Sequence, residues 1–251
     1  MKVTVFNGSP RGKKGNTHIM VKEFSKGAEQ AGAEVENIFL VKKKIRPCRG
    51  CLSCWVKTPG VCVINDDMAE LIYKFGESDI VVFATPVYVD NVTGIMKNFM
   101  DRLIAGADPH FEKDEGGECV HIGKLEKTAK LVVISNCGFP EQSHFQVLEL
   151  LFRRVARNIR TEVIGEIYRS GGAILQEAPL ILRPVISNYK RLLQIAGMEI
   201  VEKRRLSEET RLRLEKPLIS DEQYIAAANE HFDVLLDKVK KPELARLNLT
   251  G

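Results

Sequence analysis

What the chain does not contain narrows it first. No apolar run in its 251 residues approaches the roughly 18–20 positions that cross a bilayer as a helix. Strand-forming residues begin at Lys2, which leaves no space for a secretory leader, so a cytoplasmic, reducing compartment is expected. In that setting the six cysteines do not read as a disulfide framework. Neither charge sign is in large excess: the formal net charge is +4, and Lys and Arg are scattered rather than gathered into aromatic-interleaved stripes, which argues against nucleic acid. No Gly-Lys-Ser/Thr closes a glycine-rich loop, which excludes a nucleotide-triphosphate loop. The dinucleotide fingerprint Gly-x-Gly-x-x-Gly is absent as well. His18, His110, His121, His144 and His231 are too scattered to nominate a general base, and no Ser/His/Asp constellation is evident.

What is present is organised around Asn7-Gly8-Ser9-Pro10-Arg11-Gly12-Lys13-Lys14-Gly15-Asn16-Thr17. Lys2-Val3-Thr4-Val5-Phe6 before it reads as a buried strand, and the apolar spacing of Ile19, Met20, Phe24, Ala28 and Ala31 after it is helical. In such a strand-to-helix loop the glycines let backbone N–H groups turn toward a common point. Ser9, Asn16 and Thr17 add side-chain donors, and Arg11 adds a planar cationic fork suited to phosphate oxygens. The positive end of the following helix favours an anion there. A phosphate monoester is the ligand this composition predicts.

Further strands are expected over 34–41, 79–84, 130–135 and 161–168, with helices from about 65 to 74, 94 to 103 and 145 to 159, and a Gly- and Asp-rich excursion over 106–128. The almost wholly apolar Asp79-Ile80-Val81-Val82-Phe83-Ala84 suits a central parallel strand covered on both faces. Alternation of this kind predicts an α/β fold: a doubly wound five-stranded parallel sheet with helices on both faces, followed by a helical C-terminal extension. Ligands of such sheets bind beyond the carboxyl ends of the strands, at the switch point. The loops after strands one, three and four therefore carry the information, with a cysteine loop over 42–64 nearby.

Gly8-Ser9-Pro10-Arg11 with Gly15-Asn16-Thr17, then Thr85-Pro86-Val87-Tyr88, then Lys97-Asn98-Phe99-Met100-Asp101-Arg102 resemble the NAD(P)H-dependent FMN reductase family of flavodoxin-like fold, over roughly residues 1–165. The resemblance implies FMN with its phosphate held by Ser9, Arg11, Asn16 and Thr17, and NAD(P)H as hydride donor. It places the isoalloxazine on Thr85, Pro86, Val87, Tyr88 and Asn91, and a third flavin contact on Asn136 and Gly138. Pro86 would rigidify the turn and Tyr88 offer a stacking face, while the flavin carries the chemistry and no side chain is nominated as catalytic. Asp101 and Arg102 read as a structural ion pair or cap.

Cys48-x2-Cys51-x2-Cys54-x7-Cys62 resembles the compact motif of iron–sulfur flavoproteins, a branch of the same fold family. It implies a [4Fe–4S] cluster on these four thiolates. The seven-residue spacer is long for that branch, so clusterless cysteines and a zinc site remain open alternatives. Lys42, Lys43, Lys44, Arg46 and Arg49 are expected to depress the thiol pKa values. The implied function is an oxidoreductase that passes electrons from NAD(P)H to a small acceptor such as flavin or quinone, or through the cluster to a one-electron partner. The alternatives are a non-catalytic electron carrier docking a redox protein, or a zinc-stapled interaction protein. Residues 1–170 are expected as the FMN-binding domain and 171–251 as the extension, packed on that domain or on a second copy in a homodimer or higher oligomer.

Overall fold

The structure, a computed structural model, describes residues 1–123, 128–177 and 179–247. Part of the 106–128 excursion and a few positions of the expected extension thus lie outside the described residues. In chain order the main elements are β1 (Lys2–Asn7), α1 (Asn16–Gln30), β2 (Glu34–Phe39), α2 (Ser53–Val56), α3 (Met68–Glu77), β3 (Ile80–Pro86) and α4 (Gly94–Arg102). Then come β4 (Phe111–Lys113), β5 (Cys119–His121), β6 (Lys130–Asn136), α5 (Gln146–Asn158), β7 (Val163–Arg169), α6 (Ile174–Glu177), α7 (Arg183–Glu202), α8 (Glu208–Glu215) and α9 (Asp221–Leu247). The strands pair in parallel in the order β2-β1-β3-β6-β7, the doubly wound flavodoxin-like arrangement whose switch point lies between β1 and β3.

Strand alternation divides the core in two. Phe6, Val81, Phe83, Leu131 and Val133 face a cluster completed by Met68 and Leu71 of α3, Met96 and Phe99 of α4, and Leu148 and Phe152 of α5. Phe6 stacks on Phe99 with centroids 4.4 Å apart, within the range of favourable aromatic pairing. On the opposite face α1 and α7 pack together, close enough that a Cβ on Gly27 would lie 1.8 Å from the Gln194 carbonyl oxygen, and one on Gly197 2.1 Å from that of Phe24. Only glycine permits that backbone approach. Part of the excursion is a small antiparallel hairpin, β4–β5, an element its sparse apolar pattern did not announce.

The chain divides into two compact units, Met1–Lys216 and Pro217–Gly251. The division falls beyond 170/171 because α7 lies on α1, and because the buried Arg169 at the end of β7 donates to the carbonyls of Leu214 in α8 and of Lys216 just after it. In the second unit α9 exposes Ile225, Phe232, Leu235, Leu236 and Val239. No described helix is long and apolar enough to cross a membrane.

Candidate functional site

The phosphate-loop residues sit where β1 ends. The Gly8 N–H donates to Ala84 O of β3 (2.8 Å) and the Ser9 N–H to Asn7 Oδ1 (3.1 Å), so the loop leaves the sheet already fixed. Gly12 (φ +52°) opens a 3-10 turn, a left-handed conformation that favours glycine. A Cβ on Gly15 would lie 2.4 Å from Ser9 Oγ, so the buried Ser9 hydroxyl depends on glycine there. Gly15 is the N-cap of α1, and no side chain caps that terminus. The His18 N–H turns back to Gly15 O (3.0 Å), which leaves the Asn16 and Thr17 amides of the first turn to face an anion. Asn7 Nδ2 and Asn16 Oδ1 are buried without a hydrogen-bond partner. Asn7 Nδ2 is free to donate to a bound anion as it stands, and Asn16 can do so with its amide flipped, since O and N then interchange.

The second and third loops meet the first at the carboxyl edge. Pro86 pairs with Asn136 in register, and the Val87 N–H donates to Asn136 O (2.8 Å). Asn136 Nδ2 in turn donates to Thr17 Oγ1 (2.8 Å), a buried bond linking the third loop to α1. Beyond Val87, Tyr88 and Asn91 exchange backbone hydrogen bonds around Val89 and Asp90, both at positive φ. That turn leaves the Tyr88 ring about half exposed and Asn91 on the surface. Gly138 is exposed next to Phe139, whose ring stacks on His144 at 4.7 Å. The structure thus brings Ser9, Arg11, Asn16, Thr17, Thr85, Pro86, Val87, Tyr88, Asn91, Asn136 and Gly138 to one edge of the sheet.

Sequence reasoning passed over Thr93. Its hydroxyl donates to Gly8 O (2.7 Å) and accepts from the Met96 N–H (3.2 Å), while its own N–H donates to Thr85 Oγ1 (3.2 Å). One buried threonine therefore caps α4 and ties the first loop to the second. The signal was available, since a Thr immediately before a helical run is a standard N-cap.

Cys48, Cys51, Cys54 and Cys62 line one pocket together with Arg102. Among the described residues, no three Cys, His or carboxylate side chains converge on a single ion-sized point. Burial, and then neighbouring Cys62, push the Cys54 thiol up. The Cys51 thiol is lowered, first by the Ser53 hydroxyl and backbone and only then by Arg49.

The expected depression of the thiol pKa values by the basic run is met at Cys51, where Arg49 contributes, and is corrected at Cys54, which burial raises; three of the other cations are engaged elsewhere. Lys43 pairs with Glu70 (2.7 Å), Arg46 donates to Asn65 O (2.6 Å), and Lys42 lies over the Phe39 ring. The cation against the thiols is instead Arg102, which is 1% exposed and forked onto Asp66 at 2.9 and 3.0 Å. The same guanidinium donates to Arg46 O (2.8 Å), and its Nε is buried without a partner. Burial alone would lower its pKa, but Asp66 and then Cys62 outweigh that and hold it charged. A fixed buried cation with an orphaned donor fits a negatively charged thiolate group. Asp66, expected to begin α3, does accept from the Met68 N–H (3.2 Å) and also holds Arg102. Trp55 anchors the other side of the loop, donating to Ile104 O (3.0 Å).

The strand order and the loops at its switch point define a flavodoxin-like fold of the type found in flavin reductases, and solved structures agree on the fold. An FMN-dependent NADH-azoreductase of Bacillus anthracis, solved with FMN, superposes with a TM-score of 0.60 at 17% identity over 80% of this chain and 99% of that one. An NAD(P)H:quinone oxidoreductase of Methanothermobacter marburgensis superposes with a TM-score of 0.57 at 13% identity over 80% and 96%. Residues 1–118 match the family NADPH-dependent FMN reductase, so the resemblance read from the motifs is borne out over that part of the chain. An iron-sulfur flavoprotein of Archaeoglobus fulgidus is 43% identical over 133 residues, 51% of this chain and 59% of that protein. One of Methanosarcina thermophila is 31% identical over 124 residues, 49% and 63%. The chain thus spans about half to three-fifths of the length of the curated relatives it matches.

Proposed function

We propose that the protein is an FMN-dependent oxidoreductase that takes hydride from NAD(P)H. The observation that carries this reading is the meeting of three irregular loops at the switch point, one of them an uncapped helix start with buried donors. Ser9, Arg11, Asn16 and Thr17 hold the phosphate, and Asn136 orients Thr17. Backbone groups after Pro86 meet the polar edge of the ring, and Tyr88 and Gly138 border it. When bound, FMN supplies hydride acceptance and the return of those electrons to an acceptor, a flavin, a quinone or a similar small molecule. The names of the relatives and structural neighbours support the same reading.

We assign a [4Fe–4S] cluster to Cys48, Cys51, Cys54 and Cys62, which line one pocket with the buried, charged Arg102. When bound, it supplies one-electron delivery to a redox partner. A second copy of this chain is the assembly partner read from the extension, whose α9 carries an exposed apolar stripe. Anaerobic purification followed by titration with NADPH tests the core reading. Bleaching of flavin absorbance is expected, and failure to take up added FMN would sink it. Iron and sulfide analysis after reconstitution tests the cluster, with stoichiometric zinc the opposing result. Sedimentation at micromolar concentration tests the dimer.

A further inference from the structure

The segment after β7 does more than connect it to α7. The Arg169 carbonyl accepts from the Cys137 N–H (3.1 Å), the Gly171 N–H donates to Phe139 O (2.7 Å), and the Gly172 N–H donates to Cys137 O (2.8 Å). The strap is thereby zipped onto the third loop. Gly172 lies so close to Asn136 that a Cβ would come within 3.0 Å of that side chain, and Asn136 is the residue that holds Thr17. One turn further, in α6, the Gln176 side chain reaches the phosphate loop. Its Oε1 accepts from Arg11 Nη2 (2.9 Å) and its Nε2 donates to the Lys14 carbonyl.

Each of those two bonds acts on an anion-binding part. Arg11 is exposed, and a long cationic side chain there loses rotamer entropy when it engages a ligand. One bond to Gln176 orders it and leaves the other guanidinium N–H groups available. The Lys14–Gly15 peptide is planar and is held on both edges: its carbonyl by Gln176 and its N–H by Gly12 O (3.1 Å). That peptide sets Gly15, the residue against which the Ser9 hydroxyl rests and from which α1 begins. Residues 169–176 also lie beyond the part of the chain that matches the reductase family.

We infer that Gln176 is a positioning residue for the phosphate of the bound flavin, delivered by a strap that closes over the loop from the C-terminal side. The inference rests on the FMN reading above and adds a residue that reading does not contain. Its effect is pre-organisation: the strap fixes Arg11 and the Gly15 peptide before the ligand arrives, so its loss weakens only ligands that carry the phosphate.

The test is a fluorescence titration of wild type, Gln176→Ala and Gln176→Glu apoprotein with FMN and with riboflavin, which shares the ring and lacks the phosphate. Gln176→Ala is expected to weaken FMN about three- to tenfold, with riboflavin unchanged within twofold. Gln176→Glu keeps an acceptor for Arg11 but loses the donor to Lys14 and sets a carboxylate beside the phosphate. It is expected to weaken FMN further, again sparing riboflavin. Unchanged FMN affinity in both variants, or equal losses for FMN and riboflavin, would overturn the inference. Wild-type protein that binds riboflavin and FMN equally overturns it too, and wild type that binds neither overturns the FMN reading itself. Because Gln176 is exposed on a four-residue helix, neither variant threatens the core.

Discussion

The phosphate loop is pinned from beneath, whereas the cysteine loop is pinned from one side by a buried cation. The first grows out of β1 and is tied to β3, α4 and the third loop by short neutral bonds through Gly8, Thr93 and Asn136. The second leaves the sheet altogether. It returns through Arg46 and Asp66, both gathered by Arg102, and through Trp55. Many modest hydrogen bonds degrade gradually when one is removed, at about 1 kcal/mol each. A buried ion pair does not, because losing one partner strands the other.

The largest expected effect follows from that asymmetry. Arg102→Ala leaves Asp66 buried and unpaired and is expected to cost about 3–5 kcal/mol, read as a fall in urea midpoint. Arg102→Lys rescues little, since an ammonium cannot reproduce the bidentate fork. The same variant reports on acid stability. Burial pushes the Asp66 carboxyl up, but Arg102 and the Arg46 and Met68 amides outweigh it, and its pKa falls below the ordinary 3.8. A depressed carboxyl contributes stability that is present above its unfolded pKa and lost as pH falls through the folded one. Wild-type stability should therefore drop below about pH 4, and Arg102→Ala should flatten that limb. A wild-type-like urea midpoint in Arg102→Ala would break the contrast between the loops.

Gly15→Ala sharpens the other side. The added Cβ meets Ser9 Oγ at 2.4 Å, so the hydroxyl must leave the phosphate cradle. Loss of one charge-assisted bond is worth about 1.5–3 kcal/mol, so FMN affinity should fall about tenfold or more, measured by titration. Iron uptake at the cysteine loop should not change, because that loop is held elsewhere.

A smaller effect comes from the sheet that both loops share. Burial pushes the Glu166 carboxyl up, with the Tyr168 hydroxyl donating to it at 2.9 Å as the opposing influence. A raised folded pKa contributes stability below the unfolded pKa and loses it as pH rises through the folded one. Glu166→Gln keeps an acceptor for Tyr168 and removes the charge. Its melting temperature at pH 7 should exceed that of wild type, and the two should converge near pH 4. Equal melting temperatures at pH 7 would show that Glu166 ionises in the fold without penalty.

Periodicity made the scaffold legible: five strand-forming stretches alternating with helical spacing predicted the five-stranded parallel sheet that is observed. The strand-to-helix loop after β1 was legible because a strand, a run of glycines and polar donors, and a helical period follow one another in one short stretch. Arg102 was not, because its partners Asp66 and Cys62 lie some forty positions away, and a helix-end arginine next to an acid reads locally as a cap. Lys42 to Arg46 misled for the matching reason: proximity in sequence to the cysteines was taken for proximity in space, while Glu70 and the Phe39 ring claim two of those cations. Gln176 could not be read at all, since an isolated glutamine carries no pattern until β7 folds back to the switch point.

The smallest effect concerns the turn that presents Tyr88. Val89 (φ +48°) and Asp90 (φ +55°) occupy two successive left-handed positions, the geometry of a type I′ turn that favours Asn-Gly. A β-branched residue there is strained, at about 1 kcal/mol or more, and Val89 recovers none of it by burial, being 97% exposed. Val89→Asn with Asp90→Gly should therefore raise stability by about 1 kcal/mol, read in urea, while leaving the Tyr88–Asn91 backbone pair intact. FMN affinity should stay at the wild-type value, because that backbone pair keeps Tyr88 in place. A double variant no more stable than wild type would mean that the strain is relieved in solution, and that the second loop, unlike the first, is not held in one conformation.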